Sequence, residues 1–364
     1  MIEIDITPRW TIRHRGGERQ FDFVLVTLLQ TIKDDGRLTE AAHRAGISYR
    51  HAWNVIEKWG VFFGSPLVLM ARGRGTRLTP LGEKLLWAGQ RVQARLTPQL
   101  ENLSSELARA LSETLTSAVP ALRMHASHDF AVAKLREMLN RGDPNRVDLQ
   151  YQGSIDALAS LCHGTCDVAG FHVAGGPLQD EILERYAKWL KPRAQRLIRF
   201  VTRTQGLIVA PGNPKSIRTI ADLARSGVRL INRQRGSGTR TLLEQLLARA
   251  GIARGRVEGF EVEEYTHAAV AALVAGRLAD VGLGVQAAAD QFGLGFVPIV
   301  TERYFLICRQ DSLGTPAVRD LLALLRSDAF SELLATLPGY AADRPGEVTT
   351  ILETLPLPEI RERG

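Results

Sequence analysis

Apolar positions recur with helical spacing over the first part of the chain. Phe23, Val24, Thr27, Leu28 and Ile32 share one face and stop at Asp34-Asp35-Gly36, which predicts a helix. A second helix is expected from Thr39 to about Ala45, capped by Thr39, and a third from a Ser48 cap through about Gly60, with a turn at Gly46-Ile47 between them. Two short helices joined at a glycine form the helix-turn-helix pattern, whose second helix offers its N-terminal residues to the major groove. Here those residues are Ser48, Tyr49, Arg50, His51 and Asn54. Apolar Leu67-Val68-Leu69-Met70, a loop with Arg72, Arg74 and Arg77 among glycines, and Leu78-Thr79-Pro80 then read as strand, basic loop and strand. That is a wing, and its arginines suit the phosphate backbone or the minor groove.

From Leu78 to Leu115 a stripe of Leu81, Leu85, Leu86, Ala88, Val92, Leu96, Leu100, Leu103 and Leu107 predicts a long helix of roughly coiled-coil period that pairs two subunits. Pro98 is expected to kink or divide it. After Pro120 the pattern becomes strand–helix alternation, which implies a mainly parallel sheet with ligands at the carboxyl ends of its strands. Two α/β lobes are expected, the first from about 120 to 200 and again 310–364, the second from about 206 to 297. Segments near Arg199–Gln205 and Pro298–Arg309 cross between them. The expected division is an extension over 1–19, a winged helix-turn-helix over 20–80, a linker helix over 81–117 and an effector domain over 120–364.

The chain has 364 residues, 45% of them hydrophobic, with a formal charge of +7. The length suits more than one domain, and the charge favours an anionic partner. Between Arg37 and Arg77 the positive residues Arg37, Arg44, Arg50, Lys58, Arg72, Arg74 and Arg77 face only Glu40 and Glu57, so double-stranded DNA is the expected partner of the first domain. No signal-peptide core or membrane-length apolar run is present, and a cytoplasmic protein with no membrane partner is expected. Cys162, Cys166 and Cys308 are too few and too scattered for a disulfide framework. Cys162, His163 and Cys166 lack the further ligands a zinc site needs, so no metal is expected.

The stretches TEAAHRAGISYRHAWNVIEKW and GTRLTPLGEKLL resemble the winged helix-turn-helix of LysR-type regulators and of the molybdate-responsive regulators, AGISYRHAW being closer to the latter. The blocks QGLIVAPGNPKSI, RLINRQRGSGTRTLLEQLL, EEYTHAAVAALVAGRLADVGLG and DVAGFH resemble the periplasmic-binding-protein-like (type II) domain related to molybdate- and tungstate-binding proteins. The resemblance implies an α/β chain: a winged head, a long linker helix and a two-lobed sensor. It also implies a homodimer or homotetramer, and a small anionic effector such as molybdate or tungstate in place of a resident cofactor.

Two strand ends carry a small hydroxyl residue before a helix, Ser127 and Ser154, and the turn INRQRGSGTR sets Gly-Ser-Gly-Thr between two arginines. Helix starts leave N–H groups unpartnered and carry the positive end of the dipole, so they suit anions; the same residues also serve as ordinary caps. By position in the resembling fold, Ser127 and Ser154 donate from the first lobe, and Arg235, Ser237, Gly238 and Thr239 from the second. Tyr265 offers a phenolic donor. Arg240 has Glu244 one helical turn on and ranks below Arg235. No catalytic residue is expected: GSGTRT lacks P-loop spacing and no GxSxG elbow is present. The reading is therefore a transcriptional regulator sensing an oxyanion. The alternatives are a regulator of the same build sensing a small carboxylate such as formate, or an intracellular oxyanion-storage protein.

Overall fold

In the computed structural model, which describes residues 4–71, 75–115, 122–141 and 146–356, the chain divides into two units, residues 7–96 and residues 97–364 with the first six. In residues 7–96 the strands β1 (Trp10–His14) and β2 (Gly17–Phe21) form a hairpin. Its turn residues Arg15 and Gly16 have φ of 47° and 77°, the positive pair that a two-residue primed turn requires. Three helices follow: α1 (Phe23–Asp35), α2 (Leu38–Arg44) and α3 (Tyr49–Phe63). Asp22 caps α1 through Val24 N, and Ser48 caps α3 through His51 N at 3.2 Å. The strands β3 (Val68–Ala71) and β4 (Gly75–Leu78) form an antiparallel pair, and α4 (Pro80–Leu115) follows.

Leu25, Leu28, Leu29, Ile32, Leu38, Ala41, Ala52, Ile56 and Trp59 form the core of this unit, which residues of α4 such as Leu85 and Leu86 complete. Trp10 stacks on Phe21 at 4.1 Å and Ile12 packs against the same core. Two sequence expectations change here. The second helix begins at Leu38, one residue before the expected Thr39 cap, and its N-cap Arg37 makes no capping bond. Pro98 lies inside a helix that continues to Leu115; one missing N–H costs a single backbone bond and did not divide it.

Residues 122–356 contain β5 (Leu122–Ala126), α5 (Phe130–Leu139), β6 (Val147–Tyr151), α6 (Ser154–Cys162), β7 (Val168–Ala174) and α7 (Gln179–Tyr186). Then come β8 (Gln195–Val209), β9 (Leu230–Arg233), α8 (Gly238–Arg249), β10 (Glu263–Glu264), α9 (His267–Ala275) and β11 (Val281–Val285). The chain ends in α10 (Gln286–Gln291), β12 (Gly295–Arg309), α11 (Pro316–Leu325), α12 (Asp328–Ala335), β13 (Tyr340–Ala342), β14 (Val348–Thr349) and α13 (Ile351–Thr354). One sheet runs β10-β9-β11-β8-β12-β7-β5-β6.

The architecture is α/β and two-lobed. Parallel strands β5, β6 and β7 serve one lobe and β9, β10 and β11 the other. Between them β8 and β12, each 15 residues, pair antiparallel along their length. The crossovers expected near Arg199–Gln205 and Pro298–Arg309 are thus two full strands rather than loops. Register slips between Pro298 and Val300, where proline cannot donate to the ladder. At Gly206 a Cβ would come within 2.3 Å of Val297 O, so only glycine permits the strands' close approach there. Helices α11 and α12 return to the first lobe, where Val318, Leu321, Leu325 and Phe330 pack with Leu135 and Phe200. A second apolar cluster joins the lobes, with Leu158 and Leu183 from one and Leu243 and Leu283 from the other. Among the described residues no helix is long and apolar enough to cross a membrane.

Candidate functional site

In the winged unit, Ser48, Tyr49, Arg50, His51 and Asn54 are all exposed at the start of α3. The helix period places Arg50 and Asn54 opposite the buried Ala52, Ile56 and Trp59. Arg77 is exposed on β4; Arg72 and Arg74 lie outside the described residues.

The second cluster is in the two-lobed domain, where β5, β6, β7 and β9 end and helices begin. Ser127 follows β5 and Ser154 opens α6; both bond the same imidazole. Ser127 Oγ lies 3.0 Å from His172 Nε2 and Ser154 Oγ 2.9 Å from His172 Nδ1. Tyr304 stacks on that ring at 4.5 Å, and its hydroxyl lies 3.3 Å from Ser127 Oγ. From the other lobe the turn before α8 closes onto the same place. A Cβ at Gly153 would approach Gly236 O to 3.3 Å, and one at Gly238 would lie 3.9 Å from His172 Nδ1. Ser154, His172, Gly236, Gly238 and Thr241 line a recess there, with Glu302 beside them.

The sequence-predicted donors divide. Ser127, Ser154 and Gly238 gather around His172. Ser237 caps α8 through Arg240 N at 3.2 Å, and Thr239 Oγ1 accepts from Gln205 Nε2 at 3.0 Å. Arg235 is not brought to the recess: its side chain is 77% exposed and pairs with Glu261 at 2.9 Å. Arg240 is buried, but Glu244, Glu261 and Glu263 consume it. Tyr265 is half exposed, and it is its carbonyl that takes part, accepting from Arg233 Nη2 at 2.9 Å.

The sequence reading passed over Arg233. This last residue of β9 is 6% exposed. Its guanidinium bonds neutral groups, Gln234 Oε1 at 3.2 Å and the Tyr265 carbonyl, and among the described residues no carboxylate forms a salt bridge with it. Burial, then neighbouring Arg203, lowers its pKa to about 9, so it stays charged at neutral pH. Three histidines feel this charge. Burial and Arg233 lower His128 to about 4. Burial with Arg203 and Arg233 holds His172 and His267 well below their ordinary value. Among the described residues His128 Nδ1, His267 Nδ1 and Gln205 Oε1, all buried, have no hydrogen-bond partner. A charge at the carboxyl end of a buried parallel strand was the available signal, since that is where such sheets bind ligands.

Arg203 of β8 is the compensated counterpart. It bonds Asp129 at 2.6 Å and Glu302 at 2.9 Å, and these acids outweigh burial to raise its pKa. Asp129 also caps α5 and accepts from Tyr340 at 2.7 Å. Gln205 Nε2 joins Glu302 to Thr239, linking the central strands to α8.

Hydroxyls, helix starts and a buried guanidinium that has no carboxylate salt bridge among the described residues are groups whose chemistry suits a small anion. The Ser127–His172 contact has the spacing of a nucleophile and base, but an imidazole whose proton affinity is so depressed is a poor base. It acts better as a hydrogen-bond bridge between the two serines. Among the described residues no group of three His, Cys, Asp or Glu is arranged to hold a metal.

A model of the PBP superfamily domain matches residues 135–326. The "Uncharacterized protein YvgK" of Bacillus subtilis is 32% identical over 232 residues, 64% of this chain and 74% of that protein. The "Molybdenum-pterin-binding protein MopB" of Rhodobacter capsulatus is 32% identical over 110 residues, 29% of this chain and 40% of MopB. Among solved structures, a mutant OxyR from Corynebacterium glutamicum aligns over 86% of this chain and 93% of its own, with 19% identity and a TM-score of 0.40.

Proposed function

The chain belongs to the PBP superfamily, and on that premise we propose that it is a cytoplasmic, oligomeric transcriptional regulator. It binds DNA through the winged unit and senses a small oxyanion of the molybdate or tungstate type. The observation that carries the sensing half is Arg233. A buried guanidinium that, among the described residues, has no carboxylate partner is costly unless an anion completes it, and Ser127 and Ser154, bonded to the His172 ring that feels the Arg233 charge, supply further donors.

Ser127, Ser154, Ser237, Gly238 and Thr239 contribute hydroxyls or backbone N–H groups to the anion, and Arg233 takes the charge role that the sequence suggested for Arg235. The molybdate preference draws on the relative named for molybdenum-pterin binding. Formate is the competing ligand, because the planar fork of an arginine also suits a carboxylate. On the DNA side, Tyr49, Arg50, His51 and Asn54 reach base edges or phosphates, and Arg72, Arg74 and Arg77 contact the backbone.

The test is the affinity of the full-length protein for DNA upstream of its own gene, read by fluorescence anisotropy with and without molybdate. A ligand that prefers one of two states changes the affinity by about 5-fold or more. No selective DNA binding would return the storage reading, and unchanged affinity with every anion would overturn the sensing.

A further inference from the structure

Tyr151 joins the candidate cleft to the helix that leads out of the domain. It ends β6, the outermost strand of the sheet beyond β5. On the cleft side its ring lies 4.9 Å from that of His128, the imidazole held neutral beside Arg233. On the other side it meets α4. Its hydroxyl faces Glu101, which lies 3.4 Å from Arg136 of α5. Its main chain is clasped by one amide: Tyr151 N donates to Asn102 Oδ1 at 2.7 Å, and Asn102 Nδ2 donates to Tyr151 O at 3.1 Å.

An edge strand exposes backbone groups that need partners, and here a helix side chain supplies both for one residue. Sliding or rotating α4 would break both bonds at once and separate Glu101 from the hydroxyl. Ser104 and Ala108 are buried on this stretch of α4, whereas Leu103, Leu107 and Leu111 are exposed on another face of it.

We propose that Tyr151 is a positioning residue that transmits occupancy of the cleft to α4, through its ring contact with His128, its hydroxyl facing Glu101 and its main-chain bonds to Asn102. This rests on the regulator reading and names how its site is read out. An anion drawn to Arg233 fixes His128, the Tyr151 ring follows, and the stretch of α4 at Glu101 and Asn102 is held in place.

The test uses full-length protein with two substitutions, Tyr151→Phe, which keeps the ring, and Asn102→Ala, which removes the clasp. Molybdate affinity is read by isothermal titration, and the molybdate-induced change in DNA affinity by anisotropy. The variants are expected to bind molybdate within about threefold of wild type while a wild-type response of about 5-fold or more falls below about twofold. By reciprocity, DNA should then cease to alter their molybdate affinity. Variants that keep the full response overturn the coupling and leave the regulator reading intact. Variants that lose molybdate binding together with the response overturn it too, because Tyr151 would then belong to the binding site. A wild type that neither binds nor responds overturns the regulator reading and the coupling with it.

Discussion

Replacing Arg233 with methionine separates the cost of a buried charge from its use. The guanidinium is 6% exposed, and its lowering from 12.5 to about 9 is caused by burial first and Arg203 second. Between those two values the unfolded chain binds more protons than the folded one. The charge therefore opposes folding, fully at neutral pH and progressively less as pH rises from 9 to 12.5. The displacement corresponds to on the order of a few kcal/mol against the ligand-free fold. Methionine fills similar length without charge, so the melting temperature of ligand-free Arg233→Met should equal or exceed that of wild type. Anion binding should suffer in the opposite sense. Removing one partner of a buried charge pair costs about 2–5 kcal/mol, a loss of roughly 30-fold to several thousand-fold in affinity. Thermal melts and isothermal titration with molybdate give the two numbers. A variant that melts well below wild type and still binds within about threefold would refute the assignment, since Arg233 would then be stabilising structure and not awaiting an anion.

Asp129→Asn keeps the cap of α5 but leaves Arg203 with Glu302 alone; weakening one charge-assisted hydrogen bond should cost about 1.5–3 kcal/mol in urea unfolding, and a loss below about 0.5 kcal/mol would contradict the role given to this ion triad. The ligand-free protein should lose melting temperature as pH falls from 6.5 toward 4. In that window the unfolded chain protonates its histidines while His128, held down to about 4, and His172 and His267, held well below 6.5, stay neutral in the fold; a flat profile would count against it. Arg50→Ala and Arg77→Ala should each weaken DNA binding and reduce the salt slope by about 1 if they meet phosphate, whereas Arg235→Ala, on the surface with Glu261, should leave molybdate affinity within about twofold because exposed pairs contribute little.

The local grammar of the chain was legible because it is local. The periodic face from Phe23 to Ile32, the Ser48 cap and the Ser237 cap are set by neighbours within a turn, and the structure shows those elements in place. The same reading placed α2 one residue late at Thr39, since a threonine that can cap is not obliged to. Strand–helix alternation exposed the α/β class but not that β8 and β12 pair along their whole length, which depends on register between segments about a hundred residues apart.

At the cleft, Ser127 and Ser154 were visible as hydroxyls at strand ends, yet the histidine that bridges them is distant in sequence. The two arginines flanking Gly-Ser-Gly-Thr drew attention by adjacency. That glutamates pair with both depends on Glu261 and Glu263, more than twenty residues on, and no local pattern discloses it. Arg233 was hidden for the opposite reason. It ends an apolar strand, and its distinction is the carboxylate it lacks, a property only three-dimensional neighbours define.

Isothermal titration of the full-length wild-type protein with molybdate, tungstate, sulfate and formate is the most direct measurement of whether this cleft holds an anion. The account predicts saturable binding of one anion per chain, strongest for molybdate or tungstate and lost in Arg233→Met. No heat with any of the four, or binding that Arg233→Met leaves untouched, would contradict it.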